Sequence, residues 1–319
     1  MRMVRRIFLA LALILPACAL AQPFPNGPIS VVVPLAPGDA ADIASRAMAE
    51  EMSKALSTPV IAVNRPGAGG ALAASSVAQA KKDGQTLLFA QNSALTFRVV
   101  LDPQTVSYDP LRDLVPLGVS SRTPSVLVVR SDAPYKTFAE LVDYAKKNPG
   151  QVRIGHPGVG SVGDFCVRLI NAVTGAGLVG VPHTGAAPSV TALRGGHIEG
   201  VVLALGALSS HIKAGTFRGL VSSDRVADFA DIPTMKELGY KDELFGIWFS
   251  FLAPAGIPEE ARKALVGAVE HAVKAPAITA RLAPLGIFQR YAGPDEMTAE
   301  IREETRRVSE IAKKTGVVK

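Results

Sequence analysis

From residue 29 onward, short β-branched and apolar runs alternate with stretches whose apolar residues recur every three or four positions. That alternation restricts the chain to α/β architectures. Ile29–Val33 is an unbroken apolar run of the buried-strand type and stops at Pro34. Ile43, Ala47, Met48, Met52 and Leu56 then share one helical face. Residues 59–63 read as a strand, 71–80 as a helix of small residues and 87–90 as a third strand. This β-α-β-α-β order predicts a parallel sheet covered by helices on both faces.

A second series starts at a strand over residues 125–129. Thr137 and Glu140 have capping-box spacing, and the helix they open stops at Asn148-Pro149-Gly150. Strands follow at 152–155, 178–181, 198–203 and 218–221, with helices from about Gly163 and near Val190 and Leu208. Residues 246–253 read as one more strand, followed by helices from Pro258 to about Lys274 and after Pro294. In the last of these, Met297, Ile301, Val308 and Ile311 form a single core-facing stripe. Two series in 319 residues, 48% of them hydrophobic, fit two α/β lobes, each with a core of its own. No internal repeat is expected.

The start of the chain has a different character. Arg2, Arg5 and Arg6 precede an apolar run over residues 7–15, and Ala19-Leu20-Ala21 supplies a small-residue exit. The run is too short to span a bilayer, so residues 1–21 read as a secretory signal peptide cleaved before Gln22. Lipid attachment at Cys18 is the alternative, although Pro16 does not suit it. Those three arginines carry half of the formal +6 charge, and no basic run interleaved with aromatics follows, which argues against nucleic acid as a partner. After cleavage Cys166 is the one cysteine left, so no internal disulfide forms, and its neighbours Phe165 and Val167 make it a core residue.

Two turns have the makings of ligand sites. Residues 34–42 (Pro-Leu-Ala-Pro-Gly-Asp-Ala-Ala-Asp) join the first strand to the first helix, at the sheet edge where α/β proteins bind ligands. The helix N-terminus there offers free N–H groups to an anion, while Asp39 can instead cap the helix with Asp42 at its third position. Gly158, Gly160 and Gly163 match G-x-G-x-x-G, but no acidic residue follows where a dinucleotide site needs one. That turn reads as a second anion-binding terminus, with Ser161 and the N–H groups of Gly160 and Val162 facing a ligand. Asn64-Arg65-Pro66-Gly67-Ala68-Gly69-Gly70 lacks the Lys-Ser/Thr of a phosphate loop and reads as a tight structural turn. His156 and His183, in loops after strands, read as cleft-lining groups, whereas His197, His211 and His271 belong to surface or helix. None of the five has metal-ligand spacing, and neither a metal nor a cofactor is expected. Val159 stands where a G-x-S-x-G elbow needs glycine.

In this order the motifs resemble one family, the Bug-type periplasmic solute-binding proteins of the tripartite tricarboxylate transporter system. The resemblance rests on residues 25–34, the Asn64–Gly70 turn, Asp83-Gly84-Gln85-Thr86-Leu87-Leu88 and Tyr108-Asp109-Pro110-Leu111-Arg112-Asp113. It continues through Val181-Pro182-His183, His211-Ile212-Lys213-Ala214-Gly215 and residues 248–258. It implies a two-lobed Venus-flytrap fold, each lobe a mainly parallel sheet flanked by helices. The lobes would be residues 22–122 with 247–319 and residues 123–246, with crossings near 119–125 and 245–252. A small carboxylate would sit between them, held by helix N-termini and loop backbone. On the first lobe the candidate contacts are Leu35, Ala36, Gly38, Asp39, Ala40, Ala41 and Asp42, with Gln91 and Asn92 in the family's Thr-Ser region. On the second they are His156, Gly158, Gly160, Ser161, Val162, His183 and Ala204.

The chain departs from the family pattern at several of these positions. Asp39, Ala40 and Ala41 replace a glycine-rich stretch, Asp164 stands where a histidine is frequent, and the aspartate frequent near Leu203 is missing. If Asp39 faces the cleft, the ligand carries an amine or another donor there; if it caps the helix, no such demand arises. The expected protein is a periplasmic, non-enzymatic monomer that hands its solute to membrane transporter subunits. The rival readings are an exported hydrolase using Ser161 with His156 or His183, and a ligand sensor that docks to a membrane receptor.

Overall fold

The computed structural model describes residues 24–317, so the expected signal peptide, its cleavage site and Cys18 lie outside the described residues. Two mixed sheets organise the chain. The first half-turn of the fold is β1 (Ile29–Val33), α1 (Ala40–Leu56), β2 (Val60–Asn64), α2 (Ala71–Ala78) and β3 (Thr86–Gln91). A π-helical segment, Ser93–Phe97, runs into the short α3 (Arg98–Leu101), and β4 (Leu114–Thr123) leads out of the lobe.

The other sheet follows with β5 (Ser125–Arg130), α4 (Phe138–Lys147), β6 (Arg153–His156), α5 (Val162–Thr174) and β7 (Val179–Pro182). It is completed by α6 (Ala186–Arg194), β8 (Gly200–Ala204), α7 (Leu205–Lys213) and β9 (Phe217–Ser222). The chain then returns through β10 (Ile247–Pro254), α8 (Glu259–Lys274), α9 (Pro276–Leu282), β11 (Phe288–Ala292) and α10 (Pro294–Lys314).

Strand order is β11-β4-β10-β3-β1-β2 in one sheet and β7-β6-β8-β5-β9 in the other. The two-lobed α/β expectation therefore holds, but the mainly parallel sheets do not. Parallel pairing is confined to β2-β1-β3 and to β7-β6-β8; the remaining pairings are antiparallel. The physical reason is the pair of crossings. A strand that leaves one lobe and a strand that comes back run opposite to each other, so β4 and β10 pair antiparallel over eight positions.

No strand was expected over most of β4, and its sequence explains why. Pro116 interrupts the pattern and Ser120 and Ser121 break the apolar run. Pro116 is tolerated because it pairs with Leu252 at a register shift. The buried hydroxyl of Ser120 donates to the carbonyl of Phe249, which satisfies a polar group in a strand covered on both faces.

Helices close both sheets by local rules. The Thr137–Glu140 capping box forms as expected. Helix α1 buries Ala44, Ala47, Met48 and Met52, and its alanines let it lie close against α8. Between the lobes, Phe97, Phe165 and Phe245 pack edge to face with centroids 5.2–5.4 Å apart, an aromatic plug that joins the π segment, α5 and the return crossing. Cys166 is fully buried beside Ser125 and Phe245, and burial pushes its thiol up to about 11, as suits a core residue. Among the described residues, no helix is long and apolar enough to cross a membrane.

Candidate functional site

The two turns singled out above are built alike. In each, a glycine with left-handed backbone (Gly38, φ 83°; Gly160, φ 75°) precedes an N-cap residue, Asp39 or Ser161. Three positions after the cap stands an aspartate that accepts the glycine N–H: Asp42 from Gly38 at 3.1 Å, and Asp164 from Gly160 at 2.8 Å. Four residues further on, Arg46 and Arg168 pair with those carboxylates at 2.9 Å. The shared pattern is G-x-x-x-D-x-x-x-R at 38–46 and 160–168, a short internal duplication visible in the sequence and missed there.

The pattern corrects one expectation. The Gly160 N–H does not face outward, because Asp164 already holds it, and the Ser161 hydroxyl accepts from the Asp164 N–H at 3.1 Å as a helix cap. His156 is corrected as well. It ends β6 rather than lying in a loop, is buried, and directs Nδ1 to the Gly158 carbonyl at 3.0 Å with Nε2 facing Asp164 at 3.8 Å. Burial holds its ring below the usual histidine range, against the pull of Asp164. His183 does follow a strand, is half-buried, and turns Nδ1 back to the Val181 carbonyl. Among the described residues, Ser161 Oγ has no histidine partner, so the arrangement a serine hydrolase needs is not assembled.

The first turn is held from behind by Asn64, whose amide donates to the Leu35 carbonyl and to Asp42, both at 2.9 Å. Burial alone would raise the Asp42 carboxyl; the hydrogen bonds from Arg46, Asn64 and Gly38 outweigh it and hold Asp42 below the usual carboxylate range. Asp39 has a different environment. Its Oδ1 caps α1 by accepting from the Ala41 N–H at 3.1 Å, and its Oδ2 crosses to the other lobe to accept from the Ala186 N–H at 3.3 Å. Burial pushes its carboxyl up to about 6, and the charge acting on it from its surroundings is the like charge of Asp42.

Further contacts complete the seam. A Cβ on Gly185 would lie 3.6 Å from the Ala36 Cβ, and one on Gly206 would lie 3.1 Å from the Ala40 Cβ. Gly158 and the carbonyl of Val159 lie over Gly69, and the buried guanidinium of Arg98 donates to that carbonyl while Asp102 and Thr105 hold its other nitrogens. The turn at 35–42 thus faces the N-termini of α6 and α7, and the turn at 156–163 faces Gly69 and Arg98. Arg98, Asn64 and Arg46 were not among the expected site residues; only Arg98 reaches across the lobes.

Three expected positions, Ala204, Gln91 and Asn92, border the crossings. Beyond Ala204, the N–H groups of Leu205 and Gly206 are taken by the Pro124 carbonyl at 2.8 Å and Thr123 Oγ1 at 3.4 Å, so the first crossing caps α7. Gln91 accepts from Ser93, and the Asn92 amide donates to the Gly246 carbonyl and to Glu304, both at 3.1 Å. Glu304 also accepts from Thr96 at 2.7 Å and from the indole of Trp248 at 3.1 Å. A cavity of about 580 Å³ opens at this crossing region, lined by Arg122, Thr123, Pro124, Gly246, Trp248 and Glu304 among others; none of residues 35–42 or 156–163 lines it.

Residues 44–317 match the family model described as the tripartite tricarboxylate transporter family receptor. The chain belongs to this receptor family. Among its relatives, BugT of Bordetella pertussis is 32% identical over 299 residues, covering 93% of this chain and 91% of that protein. A Rhodopseudomonas palustris protein solved with adipate shares 28% identity at a TM-score of 0.87 over 92% of this chain and 98% of that one. MatC of the same organism, solved with bound malate, shares 29% identity at a TM-score of 0.85 over 90% and 99% of the two chains. The periplasmic binding protein BugD shares 28% identity at a TM-score of 0.88 over 92% of this chain and 99% of that one, and none of these relatives supports the hydrolase reading.

Proposed function

We propose that this receptor captures a small organic carboxylate between its lobes in the periplasm and presents the closed, loaded form to membrane subunits of a tripartite transporter. The single observation that carries the reading is the seam. Turn 35–42 meets the N-terminus of α6 across the gap, with the Ala186 N–H already engaged by a carboxylate, and relatives of the same fold hold adipate and malate. The N–H groups and dipoles of that terminus supply positive potential without a dedicated arginine. Ligand contacting both lobes favours the closed state by its differential affinity, which is all that capture and delivery require of the protein.

In this reading residues 1–21 direct export, residues 22–122 with 247–319 form one lobe, and residues 123–246 form the other. Leu35, Ala36, Gly38 and residues 39–42 border the ligand from the first lobe; Gly158, His183 and the turn into α6 border it from the second.

Calorimetric titration of the mature protein, residues 22–319, with mono-, di- and tricarboxylates tests the proposal. One carboxylate is expected to bind with one-to-one stoichiometry and to reduce the radius of gyration in solution. Absence of binding by every acid sinks it.

A further inference from the structure

The strand orders set the crossings between two different gaps. In the first sheet β4 and β10 carry the crossings and separate β11 from β3 and β1, and turn 35–42 follows β1. In the second sheet β5 separates β9 from β8 and β6, and turn 156–163 begins at the end of β6. The cavity of about 580 Å³ is lined by residues 223–226, which follow β9, and by residues 288–290 at the start of β11. It therefore lies on the far side of the crossings from the seam, and Phe245 of the aromatic plug forms part of its wall. Two lobes that pivot on the crossings work as a lever. Parting the turns at the seam narrows this rear cavity, and closing the seam widens it.

Opposite charges line the rear cavity from the two lobes. Some are already engaged: Arg122 holds Glu300 through two bonds of 2.6 Å, Arg225 holds Glu237 at 2.6 Å, and Glu304 accepts from Asn92, Thr96 and Trp248. The others are Arg290 of β11 and Arg307 of α10 on the first lobe, and Asp224 and Glu243 on the second. All four are exposed, and none of them makes an ion pair among the described residues. Arg307 rests over the Phe245 ring, 5.1 Å from its centroid, and Asp224 accepts from the Ser223 hydroxyl at 3.0 Å.

We propose that these four groups form a rear latch for the open state. Narrowing of the cavity brings Arg290 and Arg307 against Asp224 and Glu243, and the ion pairs so made oppose the seam contacts of Asp39 and Arg98 that hold the closed state. The latch sets how far the ligand-free receptor stays open, and so how much a ligand's affinity is reduced by the closure it must drive. Exposed pairs are screened by salt, which makes the balance between the two states sensitive to ionic strength. The inference rests on closure around a ligand as proposed above.

Small-angle scattering of the ligand-free mature protein tests the latch. The wild type should have a larger radius of gyration at about 20 mM salt than at about 500 mM, where the Debye length is only about 4 Å. The double variant Arg290→Glu, Arg307→Glu should be compact at both, its closing equilibrium constant raised roughly two- to tenfold, the scale of two exposed ion pairs. Adding Asp224→Lys and Glu243→Lys restores the pairs with reversed polarity and should return both the expansion and its salt dependence, a recovery that a merely structural role does not produce. Asp224→Asn with Glu243→Gln approaches the same pairs from the other lobe with less disturbance and should also compact the protein at low salt. A wild-type radius independent of salt, a charge-reversed double variant as expanded as the wild type, or a fourfold variant that stays compact overturns the latch. None of these measurements involves a carboxylate, so they are distinct from the failure of every acid to bind, which overturns the capture reading itself.

Discussion

Replacing Glu304 with glutamine should remove a pH dependence from the hinge. Glu304 lies on α10 and accepts from Asn92, Thr96 and Trp248, so it ties the π segment to the return strand. Burial pushes its carboxyl up to about 7, and the three donors, with Glu300 opposing them, only partly restrain the rise. The unfolded chain releases this proton near 4.5, so between those values the folded state holds a proton that the unfolded state has lost. Stability from this site is therefore complete below about pH 4.5 and drains away as pH climbs through about 7. From about pH 5.5 to about pH 8.5 the loss covers roughly one and a half pH units, at about 1.4 kcal/mol each, and partial solvent access trims it to about 1–2 kcal/mol.

Glu304→Gln stays neutral throughout, so its stability relative to the wild type should rise by that amount across the interval. Asp39 and the other carboxyls cancel in the difference. Urea denaturation followed by circular dichroism at the two pH values measures it. Trp248, the chain's sole tryptophan, offers a second readout in the native state: its emission should titrate near pH 7 in the wild type and stay flat in the variant. A relative stability that does not change with pH, or wild-type emission constant between about pH 6 and 8, refutes the reasoning.

Other perturbations have equally definite outcomes. Arg98→Ala removes the guanidinium that joins α3 to the Val159 carbonyl, a charge-assisted bond worth about 1.5–3 kcal/mol to the closed form, and small-angle scattering should show a larger radius of gyration; an unchanged value means the seam closes without it. Ser161→Ala deletes the cap of α5 and should cost about 1 kcal/mol in denaturant unfolding, a lowering that equal transition midpoints would contradict. Cys166, buried and with its thiol raised to about 11, should resist an aromatic disulfide reagent in the native state and react once urea unfolds the chain; prompt native labelling would show that the aromatic plug opens readily.

What the amino-acid sequence determined by itself is everything governed by neighbours within a few residues. Apolar runs placed β1, β5 and β8, the Thr137–Glu140 box placed the start of α4, and Asp39 offered itself as a cap. Each of these depends on spacing of three or four residues along a helix or two along a strand. Even the duplicated turn at 38–46 and 160–168 lay in plain sight, because its hydrogen bonds all span four positions or fewer.

Tertiary structure decided what those pieces face. Pro116, Ser120 and Ser121 disguise β4 because a strand buried on both sides is set by its partners rather than by alternation. Asn92, expected at the cleft, is drawn to a carboxylate 212 residues away, and Asp39 reaches an N–H 147 residues further along the chain. No periodicity encodes such distances; they arise when two crossings bring the two lobes together, and only then does a helix cap become a group lying between them.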